Sequence, residues 1–140
     1  MCCLAVWGRA YAFTTGGIEI SMNQDASEVL TELGRAENFY EAQSCKHQGK
    51  EKVFTYKGFE LSTYPSGNAD YVKSIWFLSE ETNTPEGIHI GSSIEEMVEA
   101  YGEEYTEEQG RYSYTSEKSI LTFYTKKGLI SGIEYKAEGE

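Results

Sequence analysis

Two short segments of the chain carry the same helix-forming pattern. The first is NQDASEVLTELG, residues 23–34, and the second is GSSIEEMVEAYG, residues 91–102. Each has an N-cap side chain, Asp25 or Ser93, with a glutamate three residues later, which is the spacing of a capping box. Apolar residues then recur at i, i+3, i+4 and i+7, and a glycine follows at the helix end. The pattern predicts two short amphipathic helices, each needing an apolar surface to lie on.

Alternating polar and apolar residues after each helix predict strands. The first helix is followed by KVFTYKGFELSTYP, which turns at Lys57-Gly58, and by YVKSIWFLSE. The second is followed by RYSYTSE, KSILTFYTKKG and LISGIEYKAE. A helix followed by three strands therefore occurs twice, which predicts a tandem repeat of about residues 18–81 and 86–137. The stretches AYAFTT and IEIS predict an extra hairpin ahead of the first helix.

Two helices cannot cover both faces of a sheet of seven or eight strands. We therefore predict a single α+β domain over residues 10–140, a tandem repeat of a helix followed by a three-stranded antiparallel meander. Both helices would lie on one face of the antiparallel sheet, and the other face would be open. Residues 1–9 are shorter than a signal peptide or a membrane span, and we expect them to be a leader remnant or disordered.

The charge balance and the cysteines exclude several classes of function. The chain of 140 residues has a net charge of −11, and its 12 basic residues are spread thinly, so no nucleic-acid partner is expected. The acidic excess is typical of a solvated surface, and a face that awaits a basic partner is the alternative. The cysteines are Cys2, Cys3 and Cys45, without a CxxC pair, which predicts neither a disulfide framework nor a zinc site. No cofactor is expected.

The arrangement, clearest in GIHIGSSIEEMVEAYG, resembles the β-lactamase-inhibitory-protein-like fold, which also occurs in small outer-membrane assembly lipoproteins of the SmpA/OmlA kind. IEISMNQDASEVLTELG, SCKHQGKEKVFTYKGFELSTYP and TPEGIHIGSSIEEMVEAYG resemble a group of uncharacterised secreted lipoproteins from clostridial gut bacteria, over residues 10–136. The resemblance implies an extracytoplasmic protein, secreted or lipid-anchored at a Gram-positive cell envelope. No signal peptide or lipobox is recognisable in residues 1–9, and we expect association with a membrane only through a lipid anchor absent from these residues. No motif matches the inhibitor's binding residues, so inhibition of a β-lactamase is not expected.

Cys45-Lys46-His47 is the one place where a thiol and an imidazole are close in sequence. Such a pair could supply a nucleophile or soft metal ligands. No acidic residue to orient the histidine and no oxyanion glycine loop accompany it. The pattern therefore favours a buried structural cysteine beside an exposed loop histidine. We predict no catalytic residues, no enzyme and no metal site. Small-molecule or metal binding by the Cys45/His47 loop is the alternative function.

Aromatic residues on the strands are the main binding candidates. If Ile75 and Phe77 face the helices, Trp76 points to the open face, and the alternation around Leu61 places Tyr64 there too. Tyr56 and Tyr114 are further candidates whose face the pattern does not decide. Tyrosine and tryptophan on an exposed sheet anchor protein interfaces, although they also form cross-strand pairs that stiffen a sheet. The sequence therefore predicts a noncatalytic binding or scaffold module for a protein or cell-envelope component.

Overall fold

A computed structural model of the protein describes residues 11–140, so the expectation for residues 1–9 lies outside the described residues. Within that range the chain forms ten strands and two helices. In chain order they are β1 (Ala12–Thr15), β2 (Ile18–Ser21), α1 (Ala26–Leu33), β3 (Asn38–Gln43), β4 (Lys50–Tyr56), β5 (Phe59–Ser66), β6 (Ala69–Phe77), α2 (Ile94–Tyr101), β7 (Thr106–Glu108), β8 (Arg111–Thr115), β9 (Ser119–Lys126) and β10 (Leu129–Ala137).

Both helices form at the predicted positions, but their N-termini are capped differently. Ser93 and Glu96 form the reciprocal capping box of α2, with the Ser93 hydroxyl accepting from the Glu96 N–H at 3.0 Å. At α1 the Asp25 carboxylate instead accepts from the N–H and the hydroxyl of Ser27. Each helix is eight residues long. No helix of residues 11–140 combines the length and apolar character that crossing a bilayer requires.

Eight of the strands form one antiparallel sheet in the order β3-β4-β5-β6-β10-β9-β8-β7. The two remaining strands, β1 and β2, form the predicted hairpin, which turns at Gly16-Gly17 with positive φ at both glycines. In the sheet, strands β3 to β6 run as one meander and strands β7 to β10 as another. The two meanders meet at β6 and β10, where Trp76 lies opposite Glu134 and Ile75 lies opposite Tyr135.

The predicted fold class is wrong. The structure is mostly β, with 50% strand and 12% helix, and has one large eight-stranded sheet instead of a tandem α+β repeat of helix and three-stranded meander. The sequence predicts three strands after each helix, and the structure adds β3 and β7, which lie in segments predicted to be connections. All residues of both strands are exposed, so neither strand has the buried alternate positions that reveal a strand in a sequence. The division of residues 10–140 into two repeats stays a prediction.

One face of the sheet, here called the helix face, carries the core. It presents Leu61, Ile75, Leu121, Phe123, Ile133 and Tyr135, all at most 1% exposed, toward the helices and the hairpin. Val29 of α1, Met97 of α2 and Phe13 of β1 are buried in the same cluster. The opposite face, here called the open face, carries the alternate residues of the same strands. No helix or strand of residues 11–140 covers the open face in the way α1, α2 and the hairpin cover the helix face.

Candidate functional site

The centre of the open face is occupied by a tryptophan, a tyrosine and a carboxylate. Trp76 on β6 lies between Glu60 on β5 and Glu134 on β10 in one cross-strand row. Its ring meets that of Tyr124 on β9 edge to face, with centroids 5.4 Å apart. The Tyr124 hydroxyl is 3.5 Å from Glu134 Oε1. Trp76, Tyr124 and Glu134 are each partly buried and together form what we call the Trp76 cluster.

Glu134 is an unusual carboxyl for an exposed sheet face. Burial raises its pKa above the ordinary value of 4.5, while the charge of Lys136, the Tyr124 hydroxyl and the charge of Lys73 act to lower it. The nearby cations therefore compensate only part of the cost of removing this carboxylate from water. A cation supplied by another molecule would stabilise the ionised form further. The Trp76 cluster thus combines aromatic surface with an incompletely compensated negative charge.

Polar groups surround the cluster on its β4 side. Lys73 at the bulge of β6 pairs with Glu51 on β4 at 2.7 Å. Burial acts to raise the pKa of Glu51. Hydrogen bonds from Lys73 and Ser44, together with the charges of Lys73 and His47, outweigh it and leave that pKa below its ordinary value. An aromatic centre with charged neighbours is the distribution found in protein interfaces, where anchors are desolvated and the rim stays wet.

Tyr64 lies on the open face, as the alternation predicted, but neighbouring side chains cover part of its ring. The His47 ring stacks on it with centroids 4.8 Å apart, and Tyr71 lies on the neighbouring strand at 5.8 Å. The Tyr64 hydroxyl donates to Asn23 Oδ1 at 2.6 Å. Burial, with the charge of Glu140 and the Tyr71 phenol, raises the pKa of Tyr64. A partner on the open face would meet the loop around His47 before it met this ring.

Tyr56 and Tyr114 lie on the helix face and are buried, so neither is placed to bind a partner on the open face. The Tyr56 hydroxyl donates to the Gly34 carbonyl at 3.2 Å, and the Tyr114 hydroxyl donates to the Gly102 carbonyl at 2.7 Å. These two glycines follow the last residues of α1 and α2, where backbone carbonyls lack helical partners. Both tyrosines are therefore structural residues that fasten the helix C-termini to the sheet.

The Cys45-His47 loop shows no shared site for the two side chains. Cys45 is a free, exposed thiol, whereas His47 Nε2 is 2.8 Å from Glu140 Oε1 and its ring covers Tyr64. Lys46 also contacts Glu140, at 3.8 Å. Among residues 11–140, no three histidine, cysteine, aspartate or glutamate side chains are grouped closely enough to hold a metal ion.

Tyr124 and Glu134 belong to the cluster but are not among the binding candidates predicted from the sequence. A signal for both was present, because Leu121 and Phe123 alternate into the core and leave Tyr124 outward, and Glu134 lies between the core residues Ile133 and Tyr135. What the sequence did not contain was the pairing of β6 with β10, which brings Tyr124 and Glu134 beside Trp76.

No family model matches the chain, and comparisons with curated proteins and with solved structures find no match. The resemblance to clostridial secreted lipoproteins therefore stays a prediction.

Proposed function

We propose that the protein is a noncatalytic extracytoplasmic binding module that holds a protein partner on the open face of its sheet. The observation that supports this most is the Trp76 cluster. A tryptophan and a tyrosine meet edge to face at the middle of a sheet face that no helix or strand of residues 11–140 covers, next to a carboxylate whose pKa is raised by burial. Tryptophan and tyrosine are the residue types that most often supply the binding energy of an interface.

The chemistry of the cluster favours a partner that presents a basic side chain. An arginine or lysine laid against Trp76 and Tyr124 would make a cation–π contact and a charge-assisted hydrogen bond to Glu134. The net charge of −11 would also steer a basic surface toward the protein during diffusional encounter. A cell-envelope protein with a basic patch is the partner that these features fit.

The extracytoplasmic location is supported by the resemblance to clostridial secreted lipoproteins. In that setting the module would act as a scaffold at the envelope of a Gram-positive bacterium. Capture experiments should therefore begin from envelope extracts of such a bacterium.

The test is capture by three purified variants. Trp76→Ala should remain folded but lose partner capture, because the largest aromatic contact is gone. Leu78→Ala removes an exposed apolar side chain outside the cluster and should capture as well as the wild type. Glu134→Gln keeps the shape of the side chain but not its charge, and it should weaken capture while leaving the fold intact.

A purely structural role for the aromatic pair gives the opposite pattern. If Trp76 and Tyr124 only stiffen the sheet, Trp76→Ala lowers the free energy of unfolding, and the folded protein captures the same partner as the wild type. Equal capture by wild type, Trp76→Ala and Glu134→Gln would overturn the proposal.

A further inference from the structure

Strand β3 is an unprotected edge of the sheet. Among the described residues it pairs only with β4, and all six of its residues are exposed. Phe39 and Tyr40 are 51% and 66% exposed, which is unusual for two adjacent aromatics. The opposite edge, β7, is only three residues long and carries Glu107 and Glu108. Short, charged edges discourage strand pairing, whereas a longer edge with aromatics permits it.

The backbone of β3 has a defined outward set of hydrogen-bonding groups. The Ser44 N–H donates to the Gly49 carbonyl at 2.9 Å, in line with the β3–β4 register. In an antiparallel pair, residues alternate between those bonded to the neighbour and those pointing away from it. The N–H and C=O groups of Phe39, Glu41 and Gln43 therefore point away from β4. An added strand would find three consecutive pairing positions there.

Hollows lie on both sides of this edge. The one on the helix-face side has a volume of about 450 Å³ and is lined by Leu30, Phe39 and Phe54 among others. The one on the open-face side has a volume of about 530 Å³ and is lined by Tyr40 and Val53 among others. An added strand sends alternate side chains to the two faces. Two consecutive apolar residues of such a strand would enter one hollow each.

Charge selects the residue next to the apolar pair. Glu41 lies on the same side of β3 as Phe39, and its nearest cation, Lys50, is 3.6 Å away with both side chains substantially exposed. A pair this exposed contributes little and leaves the carboxylate able to accept another cation. In an antiparallel added strand, the residue opposite Glu41 comes two positions before the residue opposite Phe39. The complementary order is therefore basic, apolar, apolar.

A second copy of the chain does not satisfy this edge. Residues whose backbone N–H and C=O groups point away from β4 must pair with residues of the same kind in the second copy. Only some registers between two β3 strands are therefore possible. With Tyr40 opposite Tyr40, each Phe39 meets a Glu41 carboxylate. A shift by one residue places Glu41 opposite Glu41. The opposite shift places Phe39 opposite Phe39 but also Glu37 opposite Glu41, and the Glu37 N–H already donates to the Thr55 carbonyl of β4 at 2.8 Å. Each choice puts a carboxylate against an aromatic ring or a like charge, and both copies carry a net charge of −11.

We propose that β3 binds an extended segment of a partner protein by antiparallel strand addition, with a lysine or arginine opposite Glu41 and apolar residues opposite Tyr40 and Phe39. The surface is separate from the Trp76 cluster, so the two proposals can fail independently. Backbone hydrogen bonds would hold the segment, and the two hollows with Glu41 would select its side chains.

The probe is a capped peptide Thr-Arg-Ile-Phe-Thr, compared with Thr-Glu-Ile-Phe-Thr and with a version N-methylated at its phenylalanine. Binding to the full chain is measured by calorimetry or fluorescence anisotropy. The arginine peptide should bind at least tenfold more tightly than the other two, since one has lost its charge partner and the other a backbone donor. Trp76→Ala should bind the arginine peptide like the wild type.

Reversing the charge at position 41 gives a test whose expected result could not arise from loss of folding. Glu41→Lys should reverse the order of affinities, so that the glutamate peptide binds more tightly than the arginine peptide. Glu41→Pro removes an outward N–H that the β3–β4 ladder does not use, and it should weaken both peptides while circular dichroism stays unchanged. Equal binding of the two peptides by wild type and Glu41→Lys would overturn the proposal. Formation of a dimer that Glu41→Pro abolishes would also overturn it.

Discussion

Replacing Tyr114 by phenylalanine removes one oxygen atom from the middle of the core. The Tyr114 side chain is 1% exposed, and its hydroxyl donates to the Gly102 carbonyl at 2.7 Å. Phenylalanine keeps the ring contacts but leaves that carbonyl without its donor. A net hydrogen bond contributes about 1 kcal/mol, and an unsatisfied buried acceptor costs about 1–3 kcal/mol. Because Gly102 is partly exposed and water can reach it, we expect a loss of about 1–2 kcal/mol in the free energy of unfolding.

Tyr56→Phe is the matched control because the same change is made at the end of α1. The Tyr56 hydroxyl is 3.2 Å from the Gly34 carbonyl, and Gly34 is exposed, so water can replace the lost donor readily. The expected loss is about 0.5 kcal/mol, the lower end of the range for a neutral hydrogen bond. Both variants lose the same group, a tyrosine hydroxyl. The two lost hydrogen bonds differ in length and in the exposure of the accepting glycine.

Urea denaturation at pH 7, followed by circular dichroism, measures both losses. The slope of the free energy against urea concentration should stay constant while the midpoint falls. A loss of 1–2 kcal/mol corresponds to a fall in Tm of roughly 2–8 °C for a domain of this size. The reasoning is refuted if Tyr114→Phe is as stable as the wild type, or if Tyr56→Phe loses more than Tyr114→Phe.

Two further predictions concern a helix cap and a titrating group. Ser93→Ala removes the acceptor of the α2 capping box and should cost about 1 kcal/mol in urea denaturation, whereas Ser93→Gly should cost only a few tenths; equal losses would contradict the capping role. The pKa of Glu134 in the folded protein lies above its ordinary value of 4.5. The free energy of unfolding of the wild type therefore falls as the pH rises from 4.5 through the folded-state pKa. Glu134→Gln, which does not ionise, should be more stable than the wild type at pH 7. This advantage should vanish below pH 4.5; an advantage that persists in acid would contradict the titration.

The helices and the buried strands could be predicted because their signals are local. Caps and apolar spacing marked both helices, and alternation marked β5 and β9, whose helix-face residues include Leu61 and Phe123. The exposed strands β3 and β7 lack any buried alternate position, and missing them turned an eight-stranded, mostly β structure into a predicted α+β repeat. An exposed strand is defined by backbone pairing with its neighbour, which a sequence pattern does not display.

The candidate site could be predicted only in part for a related reason. Alternation gave the correct side for Trp76 and Tyr64. It did not give the sides of Tyr56 and Tyr114. On β4 the apolar neighbours Val53 and Phe54 point to opposite faces. On β8 Tyr112 and Tyr114 share one face, but a tyrosine is common both in a core and on an exposed face. A bulge in β6 also lets Val72 and Ile75, three residues apart, both face the core. The Trp76 cluster itself depends on a contact between distant strands, which no local pattern contains.

Hydroxyl-radical footprinting of the complex tests the central claim, that the open face holds the partner. The oxidation of Trp76 and Tyr124 is compared between the protein alone and the protein bound to the partner captured through Trp76. The open-face account predicts that both residues are oxidised in the protein alone and protected in the complex, while Tyr114 stays protected in both. Protection confined to the exposed surfaces of α1 and α2, with Trp76 and Tyr124 oxidised equally in both states, would contradict it.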